Sequence, residues 1–243
     1  ATNFNPFNTD INTVRGQESG YATLNPLAVG ANTTLSDGNL TLSSSSSSLR
    51  STVEGTMSVS SGKLFWEMTV GGNRRGAVGW TTRQGNIDLD IGPGIAQYVY
   101  AYNFDTGIIQ NNSQTNGYGP SWASGTVIGV KLDADAGVIS YMQDGIDLGD
   151  AFTGLSGETF CPVSGDASSG GTFDGFHNFG QKPFKFPPPA GFQPLNAANV
   201  RPETVIARPD QYVGVTTYTG NGGTRSINVG LKPDLVWIKS RSG

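Results

Sequence analysis

Val127-Ile128-Gly129-Val130-Lys131-Leu132 runs into Asp133-Ala134-Asp135-Ala136-Gly137 and then into Val138-Ile139-Ser140-Tyr141-Met142. Two apolar, β-branched runs around a short Asp- and Gly-containing segment read as a β-hairpin, because Asp and Gly close turns and the runs suit a pleated, half-buried surface. The device is repeated at once, since Met142 to Leu148 folds back through Asp144-Gly145. Upstream, Lys63-Leu64-Phe65-Trp66-Glu67-Met68-Thr69-Val70 places Leu64, Trp66, Met68 and Val70 on one strand face and Lys63, Glu67 and Thr69 on the other, with Phe65 the exception.

Further out, turn signals recur roughly every 8 to 12 residues, among them Asn25-Pro26, Ser36-Asp37-Gly38, Gly71-Gly72-Asn73, Gly92-Pro93-Gly94, Asn116-Gly117 and Ser164-Gly165. Helical periodicity with caps is absent, so helix is expected only as single turns. The fold class is therefore all-β, an antiparallel sandwich. Composition agrees: 36% hydrophobic, only 14% charged, with 35 Gly and 13 Pro among 243 residues, is too uncharged for ordinary disorder and too interrupted for long helices.

The net charge of -4, without a basic block, argues against nucleic acid and against an anionic membrane surface as partners. Cys161 is the single cysteine, which excludes an internal disulfide framework and a cysteine-built zinc site. With no signal-like amino terminus and no long apolar run, the chain is expected to be soluble and unanchored. Residues 1–20 form a polar arm with Phe4, Phe7 and Ile11 as anchors, either disordered or laid on a neighbouring surface. Residues 21–200 hold the sandwich, within which Ser43 to Ser48 read as a loop or polar edge. From Pro187-Pro188-Pro189 the texture becomes that of a domain exit. Residues 201–243 are read as linker and start of a second β domain, with strand-like runs Tyr212–Tyr218 and Leu235–Lys239 too few to fold alone.

Seven segments in order resemble the SPRY family, the core of B30.2 domains: Gly62–Met68, Gly76–Trp80, Ser124–Asp133, Gly137–Gly145, Leu148–Phe152, Phe160–Ser164 and Asn178–Gln181. The resemblance spans Leu24 to Val200 and implies a bent sandwich of two antiparallel sheets, concanavalin- or jelly-roll-like, whose loops bind proteins or glycans and which has no catalytic apparatus. The flanks, Asn25-Pro26-Leu27, Thr34–Leu40, Pro188–Phe192 and Lys232–Lys239, resemble structural or tail-fibre proteins of aquatic bacteriophages. That likeness implies a virion surface protein, outside the cell, with other virion subunits bound through the arm and the C-terminal extension and a homo-oligomer, a trimer by analogy with fibres.

No catalytic residue, cofactor or metal is assigned. His177 and Cys161 lie in core-like strands, and no Gly-x-Ser-x-Gly elbow accompanies them. Asp88 and Asp90 are the carboxylate pair a glycosidase would need, but a solvated acidic edge is the simpler reading. Asp133, Asp135 and Gly137 resemble the start of a calcium loop but lack its distal Glu, so the aspartates are expected to accept backbone N–H bonds in a turn. The Gly-rich stretch from Gly165 to Gly175 lacks the Lys-Ser/Thr and helix of a phosphate cradle.

The candidate ligand-binding residues are aromatic and amide side chains. Tyr98, Tyr100 and Tyr102 alternate with Val99 and Ala101; either the small residues face the core and the phenols line an open surface, or the tyrosines pack on the other sheet or a sister subunit. Asn112 and Gln114 lead into Tyr118 and Trp122, supplying amides for hydroxyls and rings for stacking. Arg74 and Arg75, in a turn, could grip a carboxylate or acidic sugar. The expected function is non-enzymatic attachment to a host-surface glycan or protein through these residues. The alternatives are a decoration or assembly protein touching only other virion subunits, and a polysaccharide-degrading enzyme.

Overall fold

The computed structural model describes residues 20–45, 50–85, 88–89, 97–104, 107–167, 170–200 and 211–240. The N-terminal arm, Ser46–Ser48, Asp90 and the Gly92-Pro93-Gly94 turn lie outside them. The chain divides into two units, Ala1–Arg201 and Pro202–Gly243.

The first unit is an all-β sandwich with no α-helix among the described residues. Its strands are β1 (Leu24–Val29), β2 (Thr33–Ser36), β3 (Thr41–Ser44), β4 (Ser51–Gly55), β5 (Lys63–Arg74), β6 (Gly76–Thr81), β7 (Val99–Asn103), β8 (Ile108–Asn111), β9 (Ser113–Thr115), β10 (Val127–Asp133), β11 (Val138–Gln143), β12 (Ile146–Phe152), β13 (Cys161–Asp166), β14 (Phe173–Asn178) and β15 (Gln193–Pro194). One sheet has the order β1-β4-β13-β6-β7-β8-β9 and the other β12-β11-β10-β5-β14-β3-β2, with β15 added in parallel to β5.

The two hairpins expected around Asp133–Gly137 and Asp144-Gly145 form, pairing β10 with β11 and β11 with β12. Asp144 and Gly145 take φ of 50° and 83°, the left-handed pair that a tight hairpin turn requires. In the first turn, Asp133 Oδ1 accepts from Ala136 N at 3.0 Å and Asp135 Oδ1 from Gly62 N at 3.1 Å. Asp133 also pairs with Lys63 at 2.8 Å. Between the sheets lie Leu64, Trp66, Met68, Val78, Trp80, Tyr102, Trp122, Val130, Leu132, Tyr141, Phe173 and Phe179, one apolar core.

Each sheet is also covered on its outer side, which is why β4, β6 and β13 are buried along their whole length. Over the first sheet, Ala77, Val99, Ala101, Val163 and Ala167 form a second apolar cluster. The described parts of the β6–β7 connection lie on this side: Gly85 N donates to both oxygens of Glu54 at 2.9 Å, and Leu89 O accepts from Thr52 N at 2.8 Å. Over the second sheet runs a strap from Lys182 to Phe192. Lys185 N donates to the buried Glu67 carboxylate, at 3.0 and 3.1 Å, and Phe184 packs edge-to-face on Phe65 at 4.9 Å. Phe65 breaks the alternation because the strap gives its face a second core. Pro187-Pro188-Pro189 therefore belongs to the first unit, not to a domain exit: the chain continues into β15 and then Leu195, whose carbonyl accepts from Ala22 N at 3.0 Å.

The second unit forms no strand among its described residues, 211–240, although Tyr212–Tyr218 and Leu235–Lys239 are strand-like in sequence. Tyr212, Val213, Val215, Leu235, Val236 and Ile238 are exposed, and Trp237 is 89% exposed. Two extended runs have too little surface to bury against each other to close a sheet. The turn between them is local: Gly223 N donates to Asn221 Oδ1, and Arg225 Nη1 donates to Thr219 O.

Candidate functional site

The sandwich separates the candidate residues into a core group and surface groups. Tyr102 is 0% and Trp122 1% exposed: at Tyr102 the tyrosine stripe takes its inward alternative, and the two rings placed among the ligand-binding candidates are corrected to core residues. The reason is the second cover: Val99 and Ala101 fill the outer cluster, which turns Tyr100 and Tyr102 inward toward the opposite sheet. Tyr102 meets Tyr118, Trp122 and Tyr141 with ring centroids 5.3 to 5.6 Å apart. Its hydroxyl donates to Pro120 O at 2.6 Å and lies 2.8 Å from the Gln143 amide, and burial pushes its pKa up to about 12. Tyr118 is half-buried; its hydroxyl donates to Gly149 O at 2.6 Å and accepts from Tyr141 N at 3.1 Å. Tyr100 packs edge-on against Phe152, and its carbonyl accepts from the Tyr141 hydroxyl. These aromatics lock the Tyr118–Trp122 segment onto both sheets rather than offering rings to a ligand.

Tyr98, Asn112 and Gln114 are on the surface. Tyr98 is 39% exposed and carries the Arg83 guanidinium 4.7 Å above its ring centroid. Thr82 N donates to Tyr98 O, so the stack sits just beyond the last residue of β6. Asn111 Nδ2 donates to Gln97 O and, at 3.0 Å, to Val99 O, clamping the β8–β9 hairpin to the same corner. Asn112, the hairpin tip, takes a φ of 55°, and Asn112 through Asn116 are all exposed. Arg83, Gln97, Tyr98 and Asn112 thus make a rim of one cation, one aromatic ring and amides beyond the ends of β6, β7 and β8. Arg83 and Gln97 were not singled out in the sequence because a long connection separates Arg83 from the ring it covers.

Arg74 and Arg75 belong to neither group. They are exposed and precede the first residue of β6, so the length of that strand, about 20 Å, parts them from Tyr98. Arg75 N donates to Thr172 O at 3.2 Å.

His177 is buried, its ring meeting those of Trp66 and Phe179 with centroids 5.9 and 6.2 Å away in a three-ring cluster, and burial drives its pKa down to about 4. Burial likewise pushes the Cys161 thiol up to about 12. Neither has the ionisation a nucleophile or base needs near neutrality. Asp88 is exposed, and its would-be partner Asp90 is outside the described residues. Among the described residues no three His, Cys, Asp or Glu side chains gather as a metal site.

The topology, two antiparallel sheets around a tryptophan-rich core with the β10–β11–β12 meander at one edge, has a counterpart among known families. Residues 63–173 match the SPRY domain. The SPRY fold extends past that segment: a crystal structure of the SPRY domain of human HERC1 superposes with a TM-score of 0.55 at 20% identity, covering 66% of this chain and 99% of that one. In sequence, the chain is 34% identical over 151 residues to the ATP-dependent RNA helicase Ddx1 of Drosophila melanogaster, covering 61% of this chain and 19% of the helicase. It is 33% identical over 144 residues to the E3 ubiquitin-protein ligase RKP of Arabidopsis thaliana, covering 58% of this chain and 11% of the ligase. The chain therefore spans a fifth or less of the length of these relatives.

Proposed function

We propose that this chain is a non-enzymatic binding module whose SPRY sandwich presents the Arg83–Tyr98 rim to a protein partner. The observation that carries the reading is the contrast between groups that could do chemistry and groups that can do recognition. Cys161 and His177 are buried in uncharged forms, whereas the stacked cation and ring of Arg83 and Tyr98 are exposed, with Gln97 and Asn112 beside them. An aromatic ring and an Arg on a rigid strand end are the side chains that dominate protein recognition, because they bring large contact area at low entropic cost. The larger relatives, a helicase and a ubiquitin ligase, fit a SPRY segment that serves as an interaction module beside a separate catalytic one.

The finer placement, on a virion surface as a tail-fibre or decoration protein, rests on the flanking resemblance of Asn25–Leu27, Pro188–Phe192 and Lys232–Lys239. A second reading, a host-surface glycan as ligand, is favoured by the same exposed Tyr98 ring flanked by amides, which suits a sugar face and its hydroxyls. The test displays the protein at high density on beads and measures capture by host-cell surfaces pretreated with protease or with periodate. Saturable binding that protease abolishes and periodate spares supports the protein partner. Binding that periodate abolishes and protease spares overturns it in favour of the glycan.

A further inference from the structure

A sandwich of two open sheets has four edge strands, and an edge left with free N–H and C=O groups is a template for another chain. Three of the four are blunted. β1 contains Pro26 and a break in its register with β4. β12 carries Asp147 and Asp150 and two irregularities in its pairing with β11. β2 is folded onto the other sheet at a corner, where Thr33 N donates to Gly30 O and the Thr33 and Ser51 hydroxyls share a hydrogen bond. β9 has none of these devices: it pairs with β8 in regular register, all three of its residues are exposed, and it contains no Pro and no charge.

The sequence along this edge is Ser113-Gln114-Thr115, a hydroxyl-amide-hydroxyl run whose pattern is the same in both directions. We propose that β9 is the contact through which two copies of this chain pair, antiparallel about a twofold axis at Gln114. That axis sets Gln114 against Gln114 of the second copy and Ser113 against Thr115. Each is a like pair of uncharged hydrogen-bonding groups, the self-complementarity that an isologous contact needs. Charge also selects this edge. On a chain of net charge -4, two copies meeting at β12 would oppose Asp147 and Asp150 to each other, whereas at β9 no like charges meet. The pairing joins the two first sheets into one and leaves an Arg83–Tyr98 rim on each copy, so a weakly binding rim gains avidity.

Sedimentation equilibrium of the full chain, from about 1 to about 500 µM, tests this, with Gln114→Lys and Gln114→Glu as variants and circular dichroism to verify their folding. Both substitutions are at an exposed position. Wild-type protein is expected to show a monomer–dimer equilibrium. Each variant alone places like charges opposite each other at the axis and is expected to associate at least about tenfold more weakly, and an equimolar mixture of the two is expected to recover dimers. A wild type that stays monomeric throughout overturns the proposal. So does self-association indifferent to Gln114→Lys, or a mixture that fails to recover it.

Discussion

The hydroxyl of Tyr102 donates to Pro120 O and touches the Gln143 amide inside a core of rings. Removing it leaves the buried Gln143 amide oxygen without that partner, so Tyr102→Phe is expected to cost about 1–3 kcal/mol in urea unfolding while leaving partner capture unchanged. Trp122→Ala, which empties the space among Tyr102, Phe173 and the strand ends, is expected to cost about 3–5 kcal/mol by the same measurement. His177 gives the fold a pH dependence. Its folded pKa, about 4, lies below its ordinary value of 6.5, so between these limits the unfolded chain binds the extra proton and stability falls as pH falls. The full loss is roughly 3 kcal/mol, complete near pH 4, and His177→Phe, which keeps the stack on Trp66, is expected to flatten that part of the profile. Glu54 acts in the opposite sense. Burial raises its pKa despite the Gly85 N–H, so its contribution to stability is lost as pH rises through the upper carboxylate range. Glu54→Gln, which keeps an acceptor for Gly85, is expected to remove that decline.

At the scale of elements, the hairpins closed by Asp133–Gly137 and Asp144-Gly145 were legible because turn chemistry is local and strand alternation has a fixed period. Leu64, Trp66, Met68 and Val70 were legible as a core face for the same reason. The tyrosine stripe of β7 was ambiguous because alternation says which residues share a face, not which face meets the second sheet. When both faces are covered, small residues such as Val99 and Ala101 go under the outer cover and the large ones go inward. The strap has the composition of a domain exit at Pro187–Pro189, and its docking is not legible locally because it depends on Glu67, far away in sequence. Its attachment is testable by hydrogen exchange at the Lys185 amide, which Glu67 alone accepts among the contacts of that N–H. Glu67→Ala is expected to speed exchange there while the β10–β11 amides stay protected, and unchanged exchange would mean the strap is held by its phenylalanines alone.

At the scale of the molecule, the two units differ in how much they bury. Lys131 is buried in the first, paired with Asp147, whereas Arg225 and Lys239 belong to a unit without a strand ladder among its described residues. Trypsin is expected to cut at Arg225 and Lys239 well before Lys131, read by mass spectrometry; equal resistance would show that the second unit is protected in solution. The proposed rim sits on the first unit, where a single connection brings the Arg83 guanidinium over the Tyr98 ring. The measurement that tests the central claim most directly is the affinity for a captured partner protein of wild type, of the Arg83→Ala/Tyr98→Ala double variant, and of Arg74→Ala/Arg75→Ala at the far end of β6. The account expects the first pair to weaken binding about tenfold or more with unchanged thermal stability and the second to leave it unaltered. Full affinity in the Arg83→Ala/Tyr98→Ala variant would contradict it.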